Sequence, residues 1–362
     1  MNKSVNKIVL LLLTLTLMCG QLKAQFTTTF AKNVAPGQQN GLYYALPQTV
    51  LQLDFLIEET QLEKGPLSDY ASNYMETIEP VEYESTEYKL LGVKMIPTAT
   101  PDPNALFFVS VTSGRGGGKV QFDVLPNGII RSIGIGDGPK PEDERPMFRK
   151  EPPQREPKKA ESNEAFLGLM TAGKSNAQMA KEVADKIEEI RKAKFYLISG
   201  DVEMASNPET FNAMYQKLDA MEQEYMSLLV GKRITKQVVK TVYVIPNKEI
   251  PTQTVAKFSE TEGLTLGTSG SGSMITVQTL SLNTTSAINV PSQSAVESMS
   301  YENKVFYRVP ETANVKVMVG QKILLEDRTV VNQLGALLMA PVNGSMLVFD
   351  PETGQIVNMR MQ

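Results

Sequence analysis

Gly114-Arg115-Gly116-Gly117-Gly118-Lys119 is the segment whose residue types come nearest to a phosphate-binding loop. Such a loop works when its backbone N–H groups follow a G-x-x-x-x-G-K-[ST] spacing and open a helix. Here Ser113 holds the first glycine's place, Val120 follows the lysine, and β-forming residues lie on both sides. Phe107-Phe108-Val109-Ser110-Val111 and Val120-Gln121-Phe122-Asp123-Val124 therefore read as two strands of a hairpin turning through the glycines. Carboxylates are the next candidates. Glu188-Glu189 and Glu222 with Glu224 could supply the paired acids of glycoside hydrolysis. Each pair, however, falls near lysine and opposite or beside an apolar helical stripe, the pattern of a solvated face. Asp350-Pro351-Glu352-Thr353-Gly354 lacks the spaced ligands of a calcium loop and reads as a turn. Tyr43, Tyr44, Tyr70 and Tyr74 could form an aromatic platform for a sugar, but packing against a sheet accounts for them more simply. The chain also has no tryptophan.

What is missing constrains the chemistry further. The chain has no histidine, which removes Ser-His-Asp and Cys-His nucleophile activation and every histidine-dependent zinc or haem site. Its one cysteine, Cys19, lies near the N-terminus. From residue 25 onward no serine stands three residues before a lysine, so a serine–lysine hydrolase of the S-x-x-K kind has no support. Carboxylate chemistry, less typical serine–lysine arrangements and oxygen-ligated Ca²⁺ or Mg²⁺ remain open. No catalytic, cofactor-binding or metal-ligating residue is assigned, and no cofactor is expected.

The first residues read as an export signal. Lys3 and Lys7 precede an apolar run from Ile8 to Met18, interrupted by Thr14 and Thr16 and too short to span a bilayer comfortably. Ala24 suits the position before a cleavage point, leaving Gln25 first. Lipidation at Cys19 is disfavoured, because Met18 stands where a small residue belongs. Residues 1–24 are thus expected to be a signal peptide, and the remainder an envelope protein of the periplasm or outer membrane without a transmembrane helix. A net charge of −4 over 362 residues shows no footprint of a nucleic-acid binder.

Further along, Thr49 to Ile57 reads as a strand, broken by Lys64-Gly65-Pro66. Tyr70 and Tyr74 suit one face of a short helix, and Pro126-Asn127-Gly128 turns into a strand at Ile129-Ile130. Residues 137–163 hold six of the chain's 21 prolines, seven basic and seven acidic side chains, which is a linker or mobile loop composition. Met179, Val183, Ile187, Ile190 and Leu197 make one helical stripe, with Asn176 as its cap. Phe211, Met214, Leu218, Met221, Tyr225 and Leu228 make a second, capped by Asn207, entered at Pro208 and ended by Gly231; core packing is the expected role of both stripes. A short join around Ser199-Gly200-Asp201 makes the two an antiparallel hairpin. Strand-like runs then recur at 237–245, 274–282, 304–309, 314–319 and 345–349, with 355–361 folding back on the last. Gly267 to Ser273 reads as a flexible loop, and no internal repeat of fixed period is visible.

Tyr43-Tyr44-Ala45-Leu46-Pro47, Gly65-Pro66 with Tyr70-Ala71 and Tyr74, Pro101-Asp102-Pro103-Asn104, and Phe195 to Asp201 together resemble an exported family of Bacteroides-like bacteria, domain-of-unknown-function family 4831. The resemblance covers nearly the whole chain after the signal and is weakest over residues 137–163. It implies location and broad architecture, and supplies no activity and no catalytic residues.

The expected fold is a β-rich α+β protein. Two strand regions, residues 25–136 and 232–362, the second sandwich-like, flank a helical hairpin within residues 164–231. Two functions fit. One is a non-enzymatic binding or structural module with an envelope protein partner; the other is a glycan-binding protein or a carboxylate-dependent glycosidase.

Overall fold

Alternation sets the longest strands. In β2 (Gly41–Glu63), Leu51, Leu53, Phe55 and Ile57 are buried while Gln52, Asp54, Leu56 and Glu58 between them are half-exposed. Fourteen strands and two α-helices occur among the described residues. The structure is a computed structural model, and it describes residues 26–35, 37, 41–75, 79–111, 119–135, 174–199, 208–288, 300–342 and 345–361. The expected signal peptide, the linker at 137–163, the cap at Asn207 and the glycine run 114–118 lie outside these. The β-rich α+β reading holds.

Besides β2, the strands are β1 (Phe26–Phe30), β3 (Ser85–Val111), β4 (Val120–Val124), β5 (Ile130–Ile135), β6 (Lys232–Val244), β7 (Thr252–Ser259), β8 (Gly263–Leu266), β9 (Ser273–Ser281), β10 (Tyr301–Glu302), β11 (Lys304–Val319), β12 (Lys322–Pro341), β13 (Ser345–Phe349) and β14 (Ile356–Met361). They form three sheets, ordered β10-β1-β3-β2-β6, β12-β11-β9-β7-β8 and β14-β13-β5-β4, with antiparallel pairing throughout. Strands from before and after the helices share the first and third sheets. Phe107–Val111 and Val120–Val124 do not make the expected hairpin. The end of β3 pairs with β1 and β2, whereas β4 turns at Pro126-Asn127-Gly128 and pairs with β5. Short-range bonds close that turn, Gly128 N–H donating to the Leu125 carbonyl and Leu125 N–H to the Ile129 carbonyl, each at 2.8 Å, so β4 takes its partner from the next few residues.

Two cores result. Tyr44, Leu46, Phe107, Ile130, Ile133, Phe306, Leu347 and Phe349 belong to one, where Phe107 and Phe306 stack at 4.4 Å. Leu51, Leu53, Phe55, Ile57, Val242, Ile275, Val315 and Val317 belong to the other. The strands β2 and β11 contribute to both.

The fold also contains a duplication that the sequence reading missed. Tyr44-Ala45-Leu46-Pro47-Gln48-Thr49 on β2 corresponds to Tyr307-Arg308-Val309-Pro310-Glu311-Thr312 on β11. Between Ala45↔Leu106 and Gln48↔Thr100 the second strand takes six steps to the first strand's three. The same occurs between Arg308↔Leu337 and Glu311↔Val331. A short hairpin then follows each long one, and the two match pair for pair. Val120↔Ile135, Phe122↔Ile133 and Val124↔Ile130 correspond to Ser345↔Met361, Leu347↔Met359 and Phe349↔Ile356, with the register shift in the same place. Both turns dock on the long strand alike: Ala45 N–H donates to the Gly128 carbonyl and Arg308 N–H to the Gly354 carbonyl, each at 2.9 Å. Both glycines take positive φ, +89° and +74°.

α1 (Asn176–Ser199) and α2 (Pro208–Val230) pack side by side. Ser175, not Asn176, caps α1: its hydroxyl accepts from the Gln178 N–H, and the Gln178 side chain accepts from the Ser175 N–H. The α1 stripe is buried as expected. The α2 stripe is not, because only Ser227, Leu228 and Leu229 are buried on that helix. Two helices alone cannot cover both stripes, and a third partner reaches only their base. That partner is Leu67, Ala71 and Met75, around the 3-10 helix Ser68–Asn73 that holds Tyr70 where an α-turn was expected. The segment Gly267 to Ser273 is cross-tied rather than loose, with Lys257 donating to the Gly270 carbonyl and Ser271 N–H to Glu262.

Candidate functional site

The helical hairpin is held as one body by charge. Lys194 on α1 donates to Asp219 at 2.6 Å and Glu222 at 2.7 Å on α2, and Arg191 Nε donates to Glu222 at 2.7 Å. Burial pushes the Glu222 carboxyl up, but the bonds from Lys194 and Arg191 outweigh this and hold it below the usual range. Glu222 is therefore an interhelical tie rather than a solvated acid. Glu188 and Glu189 do lie on the solvated face, paired with Lys192 and Lys186.

At the far end of α1 the pattern reverses. Phe195, Tyr196 and Ile198 are 67%, 53% and 63% exposed, while Leu197 between them is buried. On the facing start of α2, Phe211 and Tyr215 stack 6.2 Å apart and Met214 is exposed. Phe195 and Tyr196 line a shallow depression with Glu188, Arg191 and Lys192. The site is an apolar centre with a charged margin. The sequence carried a signal for it: Phe195, Tyr196 and Ile198 are large apolar residues off the stripe, positions that a helix packed on one side leaves to solvent.

The remaining candidates for chemistry are used in building the fold. Tyr44 is fully buried, its hydroxyl accepting from the Phe306 N–H at 3.0 Å, and burial pushes its pKa up. Tyr43 leans on Phe108, and Tyr70 packs at the base of the hairpin, so the four tyrosines form no common platform. Asp350 closes its turn by accepting from the Glu352 N–H and the Thr353 hydroxyl. Two further acids, unnoticed in the sequence, are buried. Asp102 accepts from Arg308, which also donates to the Pro47 carbonyl at 2.6 Å. Glu311 takes N–H and hydroxyl donors from both Thr284 and Thr285 and the N–H of Thr312. Burial pushes the Glu311 carboxyl up, and these donors more than reverse it, bringing it down to about 2. Both acids join segments of the fold, and each has a donor on both carboxylate oxygens, Asp102 taking the Asn104 N–H on the oxygen that Arg308 leaves. No group of three or more acids or cysteines that could hold a metal occurs among the described residues, and no described helix is long and apolar enough to cross a membrane.

Fold and site together define a β-rich α+β protein with an internally repeated β framework and a helical hairpin that ends in exposed aromatic residues. A domain of unknown function (DUF4831) matches residues 40–357. The chain belongs to that family. No curated protein and no solved structure matches it.

Proposed function

We propose that this is an exported protein of the cell envelope, in the periplasm or at the outer membrane, that binds another envelope protein and performs no catalysis. The observation that carries the reading is the far end of α1, where Phe195, Tyr196 and Ile198 are all more than half exposed. Aromatic side chains inside a charged margin are the usual anatomy of a protein-binding hot spot. The burial of Asp102 and Glu311 supports it, since a buried acid with a donor on each oxygen is poorly placed to exchange protons with a substrate. Export rests on Lys3, Lys7, the apolar run to Met18, and Ala24.

Cross-linking in cells followed by purification of the protein tests the reading. An envelope protein should be recovered reproducibly. A Phe195→Asp, Tyr196→Asp double variant with unchanged circular dichroism and melting should reduce that recovery at least tenfold. Recovery of no envelope protein, or equal recovery by the variant, overturns the proposal. Mass spectrometry of the N-terminus checks the export half, with Gln25 as the expected first residue.

A further inference from the structure

The strands that end the sheets are not alike. Among the described residues β10, β8, β4 and β14 have two to six residues each, and β12, though long, has a ladder that shifts register twice. β6 pairs with β2 alone, over 13 residues with no shift. The chain on either side, residues 208–231 and 245–288, is described throughout, and no described backbone hydrogen bond outside the β2 ladder involves β6. From Arg233 to Lys240 only Val238 is even half-buried, so side chains on both faces of the strand are open. Ile234 and Val239, on opposite faces, are 38% and 44% exposed. An edge this long and regular presents a row of N–H and C=O groups to another strand. Short length, proline or a bulge blunts most such edges; on β6 the only such device is charge.

β6 carries Lys232, Arg233, Lys236 and Lys240 and no acid. That charge turns away a second β6, which would bring two cationic rows together, but it admits an acidic strand. The ladder inside the molecule shows the match. β2 sets Glu59 opposite Lys236 and Glu63 opposite Lys232, carboxylates four residues apart, and Glu59 lies 2.9 Å from the Lys236 amine. Lys236 and Lys240 repeat that spacing on the same face, with Val238 between them. We propose that the outer edge of β6 receives an extended acidic segment of another polypeptide as an added strand. Its carboxylates, four residues apart, lie opposite Lys236 and Lys240, and an apolar residue between them lies opposite Val238. Backbone hydrogen bonds hold the added strand, and the lysines select it. Lys236 is exposed beside Glu59, and Lys240 donates to the Leu264 carbonyl at 3.3 Å, so each ammonium group keeps donors for a second acceptor. On the other face Thr235, Gln237, Val239 and Thr241 offer a neutral row. A single added strand buries less than the roughly 1,200 Å² of a stable interface, so the contact is weak, exchangeable and sensitive to salt. It is separate from the aromatic tip of the helical hairpin and does not depend on any partner there.

A fluorescein-labelled probe peptide tests it, one that alternates threonine with valine and glutamate in turn, so that its carboxylates fall four residues apart. With the purified full chain and about 1 mM peptide, a concentration suited to weak contacts, hydrogen exchange of the β6 amides should slow while that of β12 and β14 is unchanged. Fluorescence anisotropy should show saturable binding at low salt. Binding should weaken at least tenfold when lysine replaces glutamate in the peptide. A Lys236→Gln, Lys240→Gln double variant that melts within about 2 °C of the parent should lose binding to the same extent. The Phe195→Asp, Tyr196→Asp variant should bind the peptide as the parent does, which separates this edge from the helical tip. Unchanged exchange in β6, equal binding of the lysine peptide, or indifference to the lysine double variant would each overturn the proposal. So would a concentration-dependent dimer that shields the same amides without peptide, since a second copy would then hold the edge.

Discussion

Where the first long strand of each copy passes its proline, the N-terminal copy carries Ala45 and Gln48, and the C-terminal copy carries Arg308 and Glu311. The backbone around these positions is shared down to the docking hydrogen bond, so the difference lies in what each side chain is asked to hold. Arg308 crosses to the other copy, gripping Asp102 and the Pro47 carbonyl. Traffic in the opposite direction comes from Gln333, which bonds both the N–H and the carbonyl of Thr49. Asp102 and Gln333 occupy equivalent places in the extra residues of β3 and β12. A duplicated backbone thus supplies matching positions, and side-chain divergence makes the two faces complementary.

The largest expected effect comes from cutting this seam. Arg308→Ala leaves Asp102, whose side chain is 3% exposed, without its cation. Loss of one partner of a buried pair costs about 3–5 kcal/mol, measurable by denaturant unfolding. Glu311→Gln should cost about 1.5–3 kcal/mol, because an amide repeats poorly the acceptor role towards Thr284 and Thr285. It should also flatten the acid limb. The folded carboxyl titrates at about 2, below its ordinary value of 4.5. Its stabilisation is therefore complete above about pH 4.5 and lost as pH falls towards 2, and a melting series over that range should show the parent declining more than the variant. The smallest effect compares the two turns. Gly128→Ala and Gly354→Ala each place a side chain at positive φ, costing about 1–2 kcal/mol. Gly354→Ala should cost the more, since its Cβ would come within 2.8 Å of Pro47, whereas space at Gly128 is open. Equal costs would mean that the contact with Pro47 is relieved and that the two dockings are more alike than the space around their glycines indicates.

Local signals were legible where one segment decides its own state. The α1 stripe, Pro208, Gly231 and the fold-back of residues 355–361 all follow from residue type and spacing. Strand lengths did not. Pro47, Pro97, Pro101 and Pro103 all sit inside continuous strands, Pro47, Pro101 and Pro103 where the ladder between β2 and β3 shifts and Pro97 opposite Leu51 in unbroken register. The repeat escaped because its copies keep only tyrosine, proline and threonine in six positions, with α1, α2 and the five strands β6 to β10 between them. Asp102 and Glu311 were invisible as buried acids because their partners come from Arg308 and from the Thr284–Thr285 segment, which are distant in sequence or across a turn. Phe195 and Tyr196 were legible in principle, as apolar residues off a stripe.

The strands of the first core bear on the order of events during folding. β1 waits for Tyr301 and Glu302, and β5 waits for Met346 to Val348. The first core closes only when Leu347 and Phe349, near the last residues made, arrive. Contacts this distant in sequence fold slowly. The first core is thus the part of the molecule that the final strands, and no earlier ones, bring to completion.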